Sequence, residues 1–172
     1  MNTGAEASET ALKLARKWAY MKKGVPEDKA IIYSAAGCFH GRTIASISLS
    51  SDAFPREGFG PFVPGMGSWV EVPEKERRKG DEEEEGGFRI RFDHIEDLER
   101  ALELHGQETA AVILEPIQGE AGECREDWSE RAVVLMRLDR DYCAVGRLLA
   151  SSGHLMSEAQ REHLLPPSTF FH

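Results

Sequence analysis

Lysine disappears from this chain after Lys79: all seven lysines lie at or before that position. Cysteine is scarcer still. Cys38, Cys124 and Cys143 form no CxxC pair, so neither a disulfide framework nor a thiolate metal site is expected. They read as free thiols in a reducing compartment. Positive charge is short throughout, with 21 Lys and Arg against 30 Asp and Glu. The resulting net charge of −9 argues against nucleic acid or an anionic membrane as partner, since either would repel the chain on approach. No apolar run approaches the ~18 residues of a membrane span. The opening Met-Asn-Thr-Gly-Ala-Glu has neither the basic and apolar stretches of a secretory leader nor the arginine-rich, acid-poor pattern of a transit peptide. The expected compartment is the cytosol, with the mitochondrial matrix as the alternative.

What remains is ordinary for a globular chain: 172 residues, 41% apolar and 30% charged, enough for one domain with a real core. There is no internal repeat. Residues 1–65 read as helix, strand, glycine-rich turn and a second short helix. Thr3 followed by Glu6 fits a capping box. Ala11, Leu12, Ala15, Trp18 and Ala19 recur on one helical face, and Gly24 and Pro26 stop that helix. Ala30–Ala35 is a buried strand closed by Gly37 and Gly41. Residues 66–92 alternate charges and carry the acid run Asp81 to Glu85, which predicts a solvated loop or insertion. Order resumes with a helix over Ile95–Leu104 and a strand over Ala110–Ile117. Alternating helix and strand predicts an α/β fold with parallel strands. Residues 123–172 are arginine-rich, lack lysine, and read as an unrelated, poorly ordered tail.

Three strings carry chemistry. Asn2-Thr3-Gly4-Ala5-Glu6-Ala7 is a small turn opening a capped helix, where free backbone N–H groups and the positive dipole end suit a phosphate. Gly37-Cys38-Phe39-His40-Gly41-Arg42-Thr43 follows the first strand, and ligands gather at the carboxyl ends of α/β strands. There Phe39 could stack on a planar cofactor and Arg42 could grip a carboxylate, although a core phenylalanine and a packed histidine are the plainer alternatives. Glu115-Pro116-Ile117-Gln118-Gly119-Glu120-Ala121-Gly122 ends the second strand and looks like a polar site wall.

Together these strings resemble the class III, pyridoxal-phosphate-dependent aminotransferases, and within them the ornithine aminotransferases, although Phe39-His40-Gly41-Arg42-Thr43 is similar to the acetylornithine enzymes too. The likeness runs through Met1–Gly65, including Glu9 to Trp18 and Gly58-Phe59-Gly60-Pro61-Phe62-Val63-Pro64-Gly65, and resumes at about Ile90–Gly122. It implies a partial large domain of a fold-type-I transferase over 1–122, with a mostly parallel sheet, flanking helices and a homodimer in the family. It implies pyridoxal 5'-phosphate as cofactor. The implied reaction moves the δ-amino group of ornithine to 2-oxoglutarate, giving glutamate 5-semialdehyde and glutamate. Position by position, Gly4 and Ala5 would cradle the cofactor phosphate, Phe39 and His40 would contact the cofactor, and Arg42 would meet a substrate carboxylate. Glu120 would pair with an arginine to switch between half-reactions, and Glu115 would support the site rather than act in it.

The resemblance stops after Gly122. The family requires an Asp-Glu-hydrophobic-Gln string, whose aspartate meets the pyridinium nitrogen, and then a Schiff-base lysine. Neither is present in this sequence. No catalytic residue is therefore assigned, and the chain alone is expected to be inactive, with unpaired sheet edges and marginal stability. The composition change at Glu123 reads as a translated intron or a shifted frame. The alternative is a non-catalytic interaction module that docks on full-length subunits.

Overall fold

The computed structural model describes residues 2–77, 86–115 and 118–119, together with the backbone of Cys143 and Ala144. Helix α1 (Gly4–Trp18) begins where the sequence marks it. The Thr3 hydroxyl accepts the Glu6 N–H, and the Glu6 carboxylate accepts the Thr3 N–H in return, a complete capping box. Leu12, Ala15 and Ala19 are buried along one stripe. The helix continues past Trp18 through a π-helical turn, Ala19–Lys23, which periodicity alone does not reveal. Gly24 then closes it at φ +80°, a left-handed conformation that glycine adopts without steric cost.

Strand β1 (Ile31–Ser34) follows, then a short helix α2 (Ile44–Leu49) capped by Thr43, whose hydroxyl accepts the Ser46 N–H. Beyond them come β2 (Met66–Gly67), β3 (Trp69–Glu71), β4 (Gly87–Arg89), α3 (Ile95–His105), β5 (Thr109–Ile113) and β6 (Cys143–Ala144). The main sheet runs β2-β1-β5-β6, and every pairing in it is parallel. This is the expected α/β architecture, partial in extent.

The core splits into two layers because strand side chains alternate between faces. Ile32 and Ile113 point into a layer with Leu12, Ala15, Ala19 and Leu49, under α1. Tyr33 and Val112 point the other way, into a layer with Val70, Ile90, Phe92, Ile95 and Leu98, under α3. Lys23 ties the two sides: its ammonium donates to the carbonyls of Gly106 at 2.7 Å and Thr109 at 3.0 Å, where α3 hands over to β5. A cation suits that helix end.

Three expectations shift. The stretch read as a charged loop, 66–92, holds strands at both ends, with β3 and β4 forming an antiparallel ribbon. Val70, Val72 and Ile90 are buried there, so a short apolar alternation outweighs the flanking charges. The strand expected over 110–117 is observed over Thr109–Ile113; Leu114 and Glu115 lie past its ladder, and 116–117 lie outside the described residues. The helix expected to end at Leu104 runs to His105, whose ring nitrogen lies 2.6 Å from the Glu71 carbonyl oxygen. The acid run 81–85, and the tail 123–172 apart from the backbone of β6, lie outside the described residues.

Candidate functional site

The carboxyl ends of β1 and β5 lie side by side, because the two strands are parallel neighbours. The residues that follow β1 are fixed almost one by one. The Ala36 N–H donates to the Ile90 carbonyl at 2.7 Å, and the Gly37 N–H to Ser51 Oγ at 2.8 Å. The Cys38 thiol donates to the Leu49 carbonyl at 3.3 Å. The Phe39 N–H donates to Glu115 Oε2 at 2.8 Å, and the His40 carbonyl accepts from Ser8 Oγ at 2.9 Å. A loop tethered at this density behaves as rigid scaffold, which is what a preorganised binding site requires.

That loop is brought against the start of α1. Gly41, at φ +118°, would carry a side chain only with strain: a Cβ there would meet Ser46 Oγ at 3.3 Å and lie 3.8 Å from the Ala5 Cβ. Glycine thus admits a close approach of the loop to the first turn of α1. The capping box occupies the Glu6 N–H, and the Ala7 N–H bonds the Thr3 carbonyl. The N–H groups of Gly4 and Ala5 find no acceptor among the described residues, and both residues are half-buried. Two such donors at a helix start, flanked by small residues, could hold an oxyanion. Glu9 on the same helix accepts a hydrogen bond from the Thr43 hydroxyl, so α1 and the cap of α2 are tied together.

Arg42 is exposed, and its guanidinium carbon stands 5.6 Å from the centre of the Phe39 ring and 5.7 Å from that of Phe54. Both are cation–π distances. The cation is therefore held near the half-buried Phe39 while its donors stay open to an incoming carboxylate. His40 is 1% exposed, enclosed in the fold. Cys38 is equally enclosed: burial first, with the charge of Glu115 adding to it, pushes its thiol up to about 12 and keeps it neutral. Among the described residues no group of three or more His, Cys, Asp and Glu is placed to hold a metal.

The sequence strings at Gly4–Ala5 and Phe39–Arg42 are thus brought together in space, and Glu115 joins them from β5. Glu120 lies outside the described residues. Ser8, Glu9 and Phe54 were not anticipated. Ser8 falls on the buried stripe of α1, four residues before Leu12, and a hydroxyl at that spacing was the one available signal. Nothing local marks Phe54, which acts on Arg42 across a turn.

A phosphorylated aromatic cofactor fits this arrangement: paired amide donors for the phosphate, a fixed ring for stacking and a cation for a second anionic group. The sequence profile of the family described as aminotransferase class-III matches residues 1–130, which extends past Gly122. The ornithine aminotransferase of Saccharomyces cerevisiae is 53% identical over 124 residues, covering 71% of this chain and 26% of that protein. The mitochondrial ornithine aminotransferase of Arabidopsis thaliana is 44% identical over 122 residues, covering 71% of this chain and 21% of that protein. Among solved structures, an ornithine aminotransferase from Toxoplasma gondii, with pyridoxal phosphate partly occupying its active site, superposes with a TM-score of 0.67. It is 34% identical, covering 85% of this chain and 29% of that one. The chain therefore spans about a quarter of the length of the relatives it matches.

Proposed function

The chain belongs to the class-III aminotransferases, whose cofactor is pyridoxal phosphate, and from that premise we propose that it is the cofactor-cradling portion of an ornithine aminotransferase. The observation that carries this is the meeting of the first turn of α1, where Gly4 and Ala5 find no N–H acceptor among the described residues, with the Phe39–Arg42 loop across Gly41. When bound, the cofactor supplies the carbonyl that receives an amino group and the ring that withdraws electrons from the substrate carbon. In this reading Gly4 and Ala5 bind its phosphate, while Phe39 limits its ring from one side and excludes water there. His40 walls the site. Arg42, exposed beside Phe39, takes a carboxylate of ornithine or of 2-oxoglutarate through its planar fork of donors. Glu120 pairs with an arginine between the two half-reactions. The lysine that bonds the cofactor has no candidate after Lys79, so the full reaction requires sequence beyond the matched portion. The acting enzyme is a homodimer in the cytosol.

The test reads the mature transcript across the codons for Gly122 and Glu123 and assays the polypeptide it encodes. We expect a message that continues into an Asp-Glu-x-Gln string and a later lysine, and a product that converts ornithine and 2-oxoglutarate to glutamate 5-semialdehyde. A message that reads through to His172, with a product that binds no pyridoxal phosphate, overturns the reading. If that product instead co-purifies with a full-length subunit, the absence of lysine after Lys79 is explained by an interaction role. Fractionation and sedimentation of the same product test the compartment and the dimer.

A further inference from the structure

We propose that Glu115 is a positioning residue for Phe39, its buried carboxylate setting where that aromatic ring meets the cofactor. The proposal deepens the class-III reading and rests on it, since only a cofactor-facing Phe39 gives the bond a functional consequence.

Phe39 follows β1 and Glu115 follows β5, and these neighbouring parallel strands deliver both residues to one end of the sheet. The Phe39 N–H donates to Glu115 Oε2 at 2.8 Å, and Glu115 is only 6% exposed. A second link runs in the opposite sense from the same segment. Gln118, 2% exposed, donates its Nε2–H to the Ala36 carbonyl at 2.6 Å. One acceptor and one donor from the end of β5 therefore grip both ends of the 36–39 turn.

Why the acceptor should be a carboxylate follows from the demands on the loop. Burying a charge is unfavourable unless it is well bonded, so a neutral acceptor would serve a merely structural contact with less penalty. A charge-assisted bond is roughly twice as strong as a neutral one and tolerates less positional drift. The ring of Phe39 is joined to the restrained amide nitrogen through Cα and Cβ, so fixing that amide fixes the point from which the ring projects. Ligand geometry is sensitive to displacements of about 1 Å, which makes such restraint consequential.

The experiment compares the full chain with its Glu115→Ala and Glu115→Gln variants by two readouts, neither of them activity. The first is hydrogen exchange at the Phe39 amide. The second is the affinity for pyridoxal phosphate set against that for inorganic phosphate alone. Glu115→Ala is expected to speed exchange at Phe39 at least about ten-fold. It should weaken pyridoxal phosphate about ten-fold while leaving inorganic phosphate within about two-fold, because the Gly4–Ala5 cradle is untouched. Glu115→Gln, with an amide oxygen in place of the carboxylate, should restore most of the protection. Unchanged exchange in Glu115→Ala overturns the proposal. So does a parallel fall in both affinities, which marks general loosening. Should Glu115→Ala fail to fold, Glu115→Gln carries the test: exchange a few-fold faster than wild type supports a charged latch, and identical exchange overturns it. If the wild-type chain binds no pyridoxal phosphate, the class-III reading of its site fails, whereas exchange at Phe39 still decides whether Glu115 holds the loop.

Discussion

The two faces of the sheet are built from different materials. Under α3 the core is bulky: Tyr33, Val70, Ile90, Phe92, Ile95, Leu98, Val112 and Leu114 are all buried. Under α1 it is made largely of small residues, Ala15, Ala19, Ala30, Ala110 and Ala111, with Leu12, Ile32, Leu49 and Ile113 among them. Buried hydroxyls accompany that second face: Ser8, Ser34 and Ser48 donate to the carbonyls of His40, Leu49 and Ile44. Large side chains keep backbones apart, whereas small ones let them approach. The α3 face is therefore scaffold, contributing apolar area at about 25 cal/mol per Å². The α1 face gives up some of that area and brings a helix start and a loop close together. Stability and site geometry are thus assigned to opposite sides of one sheet, and substitutions on the two sides should separate them.

The largest effect is expected on the scaffold side. Leu98 is fully buried in α3, and Leu98→Ala removes its methyl groups and leaves a cavity that costs about 2–5 kcal/mol. Measured by urea denaturation, the loss should appear in the midpoint. The affinity of the folded fraction for pyridoxal phosphate should stay at the wild-type value. A change in that affinity would break the division between faces.

An intermediate effect is expected from the buried thiol on the α1 side. Cys38 has its pKa raised from 9.0 to about 12, chiefly by burial. Below pH 9 the thiol is neutral in both folded and unfolded chains, and its contribution to stability is fully present. Above pH 9 the unfolded thiol ionises and the folded one does not, so stability falls with rising pH until about 12. The slope is about 1.4 kcal/mol per pH unit within that window. Cys38→Ala lacks this term and retains the other thiols, so its stability should close on that of wild type between pH 8 and pH 10. Equal pH slopes for the two proteins would show that Cys38 is not sealed in the folded state.

How far the sequence speaks follows the range over which each feature is determined. Helix α1 was legible because its signals are local: Thr3 and Glu6 are three residues apart, and Leu12, Ala15 and Ala19 repeat at helical spacing. Strand β1 was legible as a short apolar run, and the Gly4–Ala5 and Phe39–Arg42 strings as a helix start and a strand-end turn, which is where they lie. The ribbon of β3 and β4 was hidden because its strands are three residues each and charged residues surround them. The π-helical turn left no pattern, since it alters hydrogen bonding and not residue type. What completes the site was least visible. The Phe39–Glu115 bond joins residues 76 apart in the chain, and the Ser8–His40 bond joins residues 32 apart. Bonds of that span depend on topology, which no local window contains.

Ser8 gives the smallest and sharpest test of the contrast. Its hydroxyl lies 3.0 Å from the Gly4 carbonyl and 2.9 Å from the His40 carbonyl. It therefore stands between the first turn of α1 and the loop that carries Phe39. Ser8→Ala removes a single oxygen, so no cavity of consequence forms. The expected loss of stability is that of one hydrogen bond, about 1 kcal/mol. That is well below the figure for Leu98→Ala, yet the site should feel it more. With the link gone, the Gly4 and Ala5 N–H groups and the ring of Phe39 are no longer held at a fixed separation. A ligand that must engage both then binds several-fold more weakly, whereas inorganic phosphate, which needs only the first, binds as before. Titration of both ligands against both variants decides the matter. If Ser8→Ala loses stability while keeping wild-type affinity for pyridoxal phosphate, the small-residue face is ordinary packing, and the site is aligned through the sheet from β5 alone.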